Sequence, residues 1–202
     1  MGATAVASAE QARAWISQWQ DLQGVAASDF TLSEYLSGRH LVLQGVWRDG
    51  RLLLAQTVEC LSYFAAGNNP TGVFSVPSLA KTVFAPSVLD VCIRAMRAID
   101  PGASGAFVIE LREDIRGVPA ITEINVGRFA MGVTALLCTA RHNMLEVFVN
   151  SAVGEPVTVD TPYESSAEYY LVRDLDMTPG VFSQAELVRD GALDPFSVVS
   201  SS

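Results

Sequence analysis

Apolar positions recur along this chain with two different periods, and the changes between them mark out helices and strands. Ser8 followed by Gln11 is a capping-box pattern at a helix start. Ala12, Trp15, Ile16, Trp19 and Leu22 then repeat at helical spacing, and Gly24 stops the run, so the stripe reads as core packing. Ahead of it, residues 1–6 (MGATAV) read as a strand. Residues 29–36 (DFTLSEYL) read as another, with a break at Ser37-Gly38-Arg39. HLVLQGVW from His40, the turn signal Asp49-Gly50 and RLLLAQTV from Arg51 complete a three-stranded meander. Residues 63–74, with Gly67, Asn68, Asn69, Pro70 and Gly72, read as a loop.

Pro86 opens a second helix, whose stripe is Val88, Val91, Cys92, Ala95, Met96 and Ile99. Residues 105–128, GAFVIELREDIRGVPAITEINVGR, are two β-prone runs around a charged, glycine-containing turn and predict an antiparallel hairpin. Helical segments follow at 134–138 and 144–153, the latter closed by Gly154. Residues 169–172 read as an edge strand, 183–189 as a short helix and 197–202 as a frayed tail. The predicted fold class is α+β, a mainly antiparallel sheet flanked by helices.

Composition narrows the partners. The chain has 202 residues, half of them hydrophobic, which suits one domain or one domain with an appendage. A net charge of −9 argues against nucleic acid or an anionic membrane as partner. No run is long enough to span a bilayer, and the start does not read as a signal peptide. Cys60, Cys92 and Cys138 are odd in number and widely spaced, as expected of reduced, buried thiols in a cytoplasmic protein. His40 and His142 are too few for a multi-histidine zinc site.

The hairpin carries the candidate chemistry. Glu123 and Asn125 are two apart and share one strand face, and the fold-back brings Glu110 onto neighbouring ground. Two carboxylates and an amide oxygen suit Mg²⁺ or Mn²⁺. Taken singly, Glu110 reads as an acid paired with Arg112 or Arg116, and it becomes a ligand only beside the other two. His40 alone reads as a surface or hairpin histidine, and Lys81 as a solvated lysine.

At EYLSGRH, RDGRLLL and GAFVIELREDIRGVPAITEIN the sequence resembles the C-terminal half of an ATP-grasp domain. The likeness is to the carbamoyl-phosphate synthetase large chain and carboxylate–amine ligases. The resemblance implies that Glu110, Glu123 and Asn125 hold metal on the ATP phosphates, with Gly117 as the glycine of the turn. It implies adenine contacts from Glu34, Tyr35 and Leu36, with His40 where an acid often binds ribose. Arg128 stands where relatives carry a phosphate-steadying arginine, although Asn125-Val126-Gly127-Arg128 is one residue longer than the usual Asn-Pro-Arg.

The same resemblance divides the chain into a small-lobe remnant (1–28), the C-terminal subdomain (29–160) and an extension (161–202). The first lobe of the family supplies phosphate-binding lysines, whereas this chain has one lysine, Lys81. The expected function is therefore the ATP- and Mg-binding part of a ligase acting through an acyl-phosphate on a small carboxylate and an amine. It would be completed by a missing N-terminal portion or a partner chain. The alternative is a non-catalytic nucleotide-binding module or remnant that docks on a partner.

Overall fold

The computed structural model describes residues 3–64, 76–163, 168–174 and 178–189. Residues 65–74 of the expected loop, the expected tail and the first two residues of the expected opening strand lie outside the described residues. In chain order the strands are β1 (His40–Arg48), β2 (Arg51–Tyr63), β3 (Pro77–Val83), β4 (Gly105–Glu113), β5 (Pro119–Val126), β6 (Tyr169–Val172) and β7 (Gly180–Ser183). The helices are α1 (Ala9–Gln23), α2 (Pro86–Ile99), α3 (Met144–Val153) and α4 (Gln184–Arg189), with 3-10 segments at Ala27–Asp29 and Met131–Cys138. All seven strands join one sheet in the order β5-β4-β1-β2-β3-β6-β7. Every pairing within it is antiparallel.

β1 is interior, between β4 and β2, and His40 to Trp47 are buried without a break because both sheet faces are covered. Alternation sorts its side chains. Leu41, Leu43 and Trp47 join Ala55, Phe107, Ile109 and Leu111 under Val88, Cys92 and Met96 of α2. On the opposite face Val46 and Leu54 pack with Leu137, Met144 and Val147. Val58 and Ala80 pack there with Val133 and Leu136. A smaller group, Val42, Cys60 and Val108, continues that face toward the start of β1. Gln44 is fully buried within it and accepts a hydrogen bond from the Ala130 amide (2.7 Å), which ties the segment after β5 to the sheet.

The hairpin of β4 and β5 forms as expected. So does the helix at 9–23: Ser8 Oγ accepts from the Gln11 amide, Gln11 Oε1 accepts from the Ala7 amide, and Gly24 closes it in a left-handed conformation. α2, α3 with its Gly154 cap, β6 and the short helix at 184–189 also match their predicted places.

Other expectations give way. Residues 3–6 and 29–36 are not strands. Both neighbours of β1 are already β2 and β4, so the segment before it meets the sheet only at its end. There the Gly38 amide donates to the Glu113 carbonyl (2.8 Å) and the Glu113 amide donates to the Arg39 carbonyl (3.0 Å). The third meander strand is instead β3. Tyr169–Val172 is interior, with β7 as the edge. No residue of α1 is buried; Trp15 and Trp19 pack edge to face on each other, and Leu22 is 69% exposed. Cys138 is exposed, whereas Cys60 and Cys92 are core.

Two features of this frame are directly testable. Gly50 has φ 74°, and a Cβ there would lie 1.9 Å from the Pro101 carbonyl oxygen. Gly50→Ala should cost at least about 1 kcal/mol in urea denaturation, because neither backbone can yield cheaply. Arg39 grips Glu113 with two hydrogen bonds (2.8 and 2.6 Å). That contact, opposed by burial, holds the Glu113 carboxyl below its ordinary value. A depressed folded pKa stabilises above the unfolded value, near ~4.3, and that contribution disappears as pH falls through the folded value. The melting temperature of Glu113→Gln should therefore fall less steeply than wild type on the acid limb. Parallel curves there would remove Glu113 from the acid response.

Candidate functional site

The candidate site lies on the α3 side of the sheet, where β5, β4, β1 and the end of β2 run side by side. Register fixes its members. Glu110 pairs with Glu123 on one side and Val42 on the other, Val108 with Asn125, and His40 with Arg112 and Cys60. The β4–β5 ladder slips by one residue after Glu110, whose next neighbour Leu111 faces Ile121. Thr122 is the extra residue, and its hydroxyl donates to the Glu110 carbonyl (3.2 Å). This bulge lets Ile121 and Ile124, three apart, both pack against the α2-side core. Glu123 and Asn125 then project to the other face with Glu110.

The polar groups there are already engaged with one another. His40 Nε2 lies 3.4 Å from Glu110 Oε2, and its Nδ1 is bonded to the Tyr63 hydroxyl. The two rings stack with an interplanar angle of 13°. The His40 hydrogen bond holds the Glu110 carboxyl below its usual range against the opposing effect of burial, with help from the charges of His40, Arg128 and Arg112. Burial pushes the Tyr63 phenol up, and it pushes the Cys60 thiol up to about 12. Arg128 Nη2 donates to Asn125 Oδ1 at 2.6 Å. Glu110 is thus paired with His40 rather than with Arg112 or Arg116 alone; Arg116 is bound to Asp114.

The structure places Glu110, Glu123, Asn125 and His40 on one face of neighbouring strands, in two contacting pairs, His40 with Glu110 and Arg128 with Asn125, while Glu123 is exposed. His40 is buried, not a surface residue. Glu34 and Tyr35 are exposed and Leu36 half-buried in the irregular segment before β1, and among the described residues no hydrogen bond joins them to the Glu110 group. Lys81 is not solvated. It sits in β3 against Glu168 (3.0 Å); burial disfavours its charge, but Glu168 outweighs that and raises its pKa.

Tyr63 and Arg112 were not legible as members. Tyr63 is three residues after Cys60, the wrong parity for one strand face, and two irregularities in the β2–β3 pairing re-aim it. Gln44 did carry a signal, as a glutamine inside an otherwise apolar run.

The donor set fits a hard divalent cation in type and in face: two carboxylates and an amide oxygen on register neighbours. Asn125 Nδ2 and Gln44 Nε2 are buried without a hydrogen-bond partner, leaving two donors in this region to be met by a ligand or water. Among the described residues no three His, Cys, Asp or Glu side chains gather as a ready cluster, and the exposed Glu123 stands apart from Glu110 and His40. The third oxygen comes from an amide, and Arg128 holds it.

No family model and no curated protein matches the sequence. Solved structures do match the fold. Biotin carboxylase from Campylobacter jejuni, solved as a β-γ-ATP complex, is 13% identical with a TM-score of 0.58, covering 81% of this chain and 36% of its own. L-amino acid ligase from Bacillus licheniformis is 12% identical with a TM-score of 0.56, covering 83% of this chain and 43% of its own. The phosphoribosylaminoimidazole carboxylase ATPase subunit from Aquifex aeolicus is 14% identical with a TM-score of 0.53, covering 76% and 46%. The described residues have the fold of part of an ATP-grasp domain, and the chain spans less than half the length of these proteins.

Proposed function

We propose that the chain is the ATP- and metal-binding part of an ATP-dependent ligase, one that joins a small carboxylate to an amine through an acyl-phosphate. One observation carries this reading: Glu110 and Glu123 face each other across the bulged hairpin, with Asn125 on the same sheet face, in a fold shared with β-γ-ATP-bound biotin carboxylase. The proposed division keeps 29–160 as the nucleotide-binding subdomain, with 1–28 from the small lobe and 161–202 as an extension. The chain spans 36% of biotin carboxylase, which supports reading the whole activity as that of a longer protein or a pair of chains.

Glu110, Glu123 and Asn125 would hold Mg²⁺ or Mn²⁺, which supplies charge neutralisation for the ATP phosphates when bound. The protein's own work is positioning. Arg128 must leave Asn125 Oδ1 to free that donor, and its guanidinium is then available to a phosphate oxygen. Backbone groups at Glu34, Tyr35 and Leu36 would take the adenine edge. The γ-phosphoryl group passes to a carboxylate oxygen as ADP leaves, and the amine then displaces phosphate from the acyl carbon. Orientation and fixed charge do this without a nucleophilic side chain. Unpaired thiols at Cys60, Cys92 and Cys138 suit a reducing compartment, so we place the protein in the cytoplasm. No helix among the described residues is long and apolar enough to cross a membrane.

A second reading has its own support. Lys81, the lone lysine, is held by Glu168, which leaves no lysine of this chain for phosphate. That favours a nucleotide-binding module that depends on a partner for its cations.

Calorimetry on the chain separates these readings. Metal-dependent ATP binding that weakens at least about tenfold in Glu123→Gln, with unchanged melting, is the expected result. Wild-type binding by Glu123→Gln would remove the metal assignment, and binding without metal would favour the module.

A further inference from the structure

α2 carries more apolar surface than the sheet covers. Val88, Cys92 and Met96 face the sheet and are buried, whereas Leu89 and Ile93, one row round the helix, are only half-buried. Arg97 continues that row, which forms one wall of a groove of about 460 Å³. Arg51 and Leu52 at the start of β2 and the segment 161–163 form the others. Leu52, Leu89 and Tyr163 pack on the α2-side core, so the groove lies across the sheet from Glu110. Tyr163 is a fixed wall. Its hydroxyl accepts from the Ala85 amide (2.8 Å) and donates to Thr57 Oγ1 (2.9 Å), and Phe84 stacks on its ring with centroids 5.2 Å apart. In a chain of net charge −9, the two arginines here are conspicuous. No acidic residue lines the groove, and among the described residues neither guanidinium has a hydrogen bond or an ion pair. Arg97 in the last turn also suits the helix dipole, an interaction that uses none of its N–H donors.

We propose that this groove binds a small amphipathic anion, with an apolar body seated on Leu52, Leu89, Ile93 and the Tyr163 ring and a carboxylate or phosphate held by Arg51 and Arg97. Its volume falls in the range of small-molecule pockets, and so does its make-up of apolar walls with a few polar groups. A guanidinium fork matches either oxyanion through charge-assisted hydrogen bonds. Walls already fixed by the core and by the Tyr163 hydrogen bonds keep the ordering cost of binding low. The site is separate from the Glu110 group, and it takes its ligand whether or not the ligase reading holds.

Amide ¹H–¹⁵N spectra of the full chain test this, titrated with 3-phenylpropionate, with phenyl phosphate and with the neutral 3-phenylpropionamide. Both anions should give saturable shifts at residues 51–52, 89–97 and 161–163, and the tighter of the two identifies the preferred oxyanion. The neutral amide should bind at least about tenfold more weakly. Arg51→Gln and Arg97→Gln, at exposed positions, should each weaken the anions about tenfold, the loss expected for one charge-assisted hydrogen bond. Arg94→Gln removes the same charge from α2 outside the groove and should leave binding unchanged. Absence of saturable shifts at these residues with both anions overturns the site. An amide that binds as tightly as the anions, or an equal loss in Arg94→Gln, overturns the role of the two arginines.

Discussion

Thr122 is one residue too many in its strand, and the candidate site depends on that surplus. Without the bulge, strict alternation would put Ile121, Glu123 and Asn125 on one face, and either the isoleucine or the acid would be wrongly placed. The slip after Glu110 resolves the conflict by letting Ile121 and Ile124 both enter the α2-side core. Full burial of an isoleucine contributes roughly 1.5–3 kcal/mol, and these two, partly buried, each gain a fraction of that. The hydrophobic pull on two isoleucines therefore sets the direction of the polar residues between and after them. The bulge is held by the Thr122 hydroxyl on the Glu110 carbonyl, at the very residue whose carboxyl the site uses.

Around this hairpin, charge is arranged so that no acid is buried alone. Burial disfavours the ionised form of an unpaired carboxylate and raises its pKa. Here Glu110 remains ionised because His40 is fixed against it and two arginines stand near. Asn125 Oδ1 is likewise held by a guanidinium. In the metal-free chain His40 and Arg128 occupy the oxygens that a divalent ion would take, so metal entry would be an exchange of partners rather than a capture into an empty cage.

The strongest parts of the fold were legible because local and global preferences agree there. The 105–128 hairpin, the Asp49-Gly50 turn, the Ser8 cap and α2 each combine the right period with the right punctuation. The strand read at 29–36 failed for a topological reason: DFTLSEYL has strand-like residues, but β2 and β4 already occupy both sides of β1. That Glu110, Glu123 and Asn125 share one sheet face was readable from spacing, because a hairpin brings near neighbours in sequence side by side. Tyr63 and Arg112 depend on cross-strand register and on irregular pairing between strands distant in sequence, which spacing does not encode. The α1 stripe was read correctly as a pattern and wrongly as core, since periodicity shows an apolar face without showing what covers it.

Lys81 shows how the ionic pattern bears on the division of labour. In a chain with 13 basic and 22 acidic residues, its single lysine is committed to Glu168 on the sheet face that α2 covers, and Arg39 is committed to Glu113. The cations that remain beside Glu110 are Arg112 and Arg128, and they already serve Tyr63 and Asn125. A triphosphate carries more negative charge than one released guanidinium and one divalent ion can neutralise. The balance of charge would have to come from groups other than Arg128 and the ion, and the chain spans only 36% of the biotin carboxylase it matches. Under the proposed function, the chain would supply the metal edge of a nucleotide site, and the phosphate-binding edge would come from elsewhere.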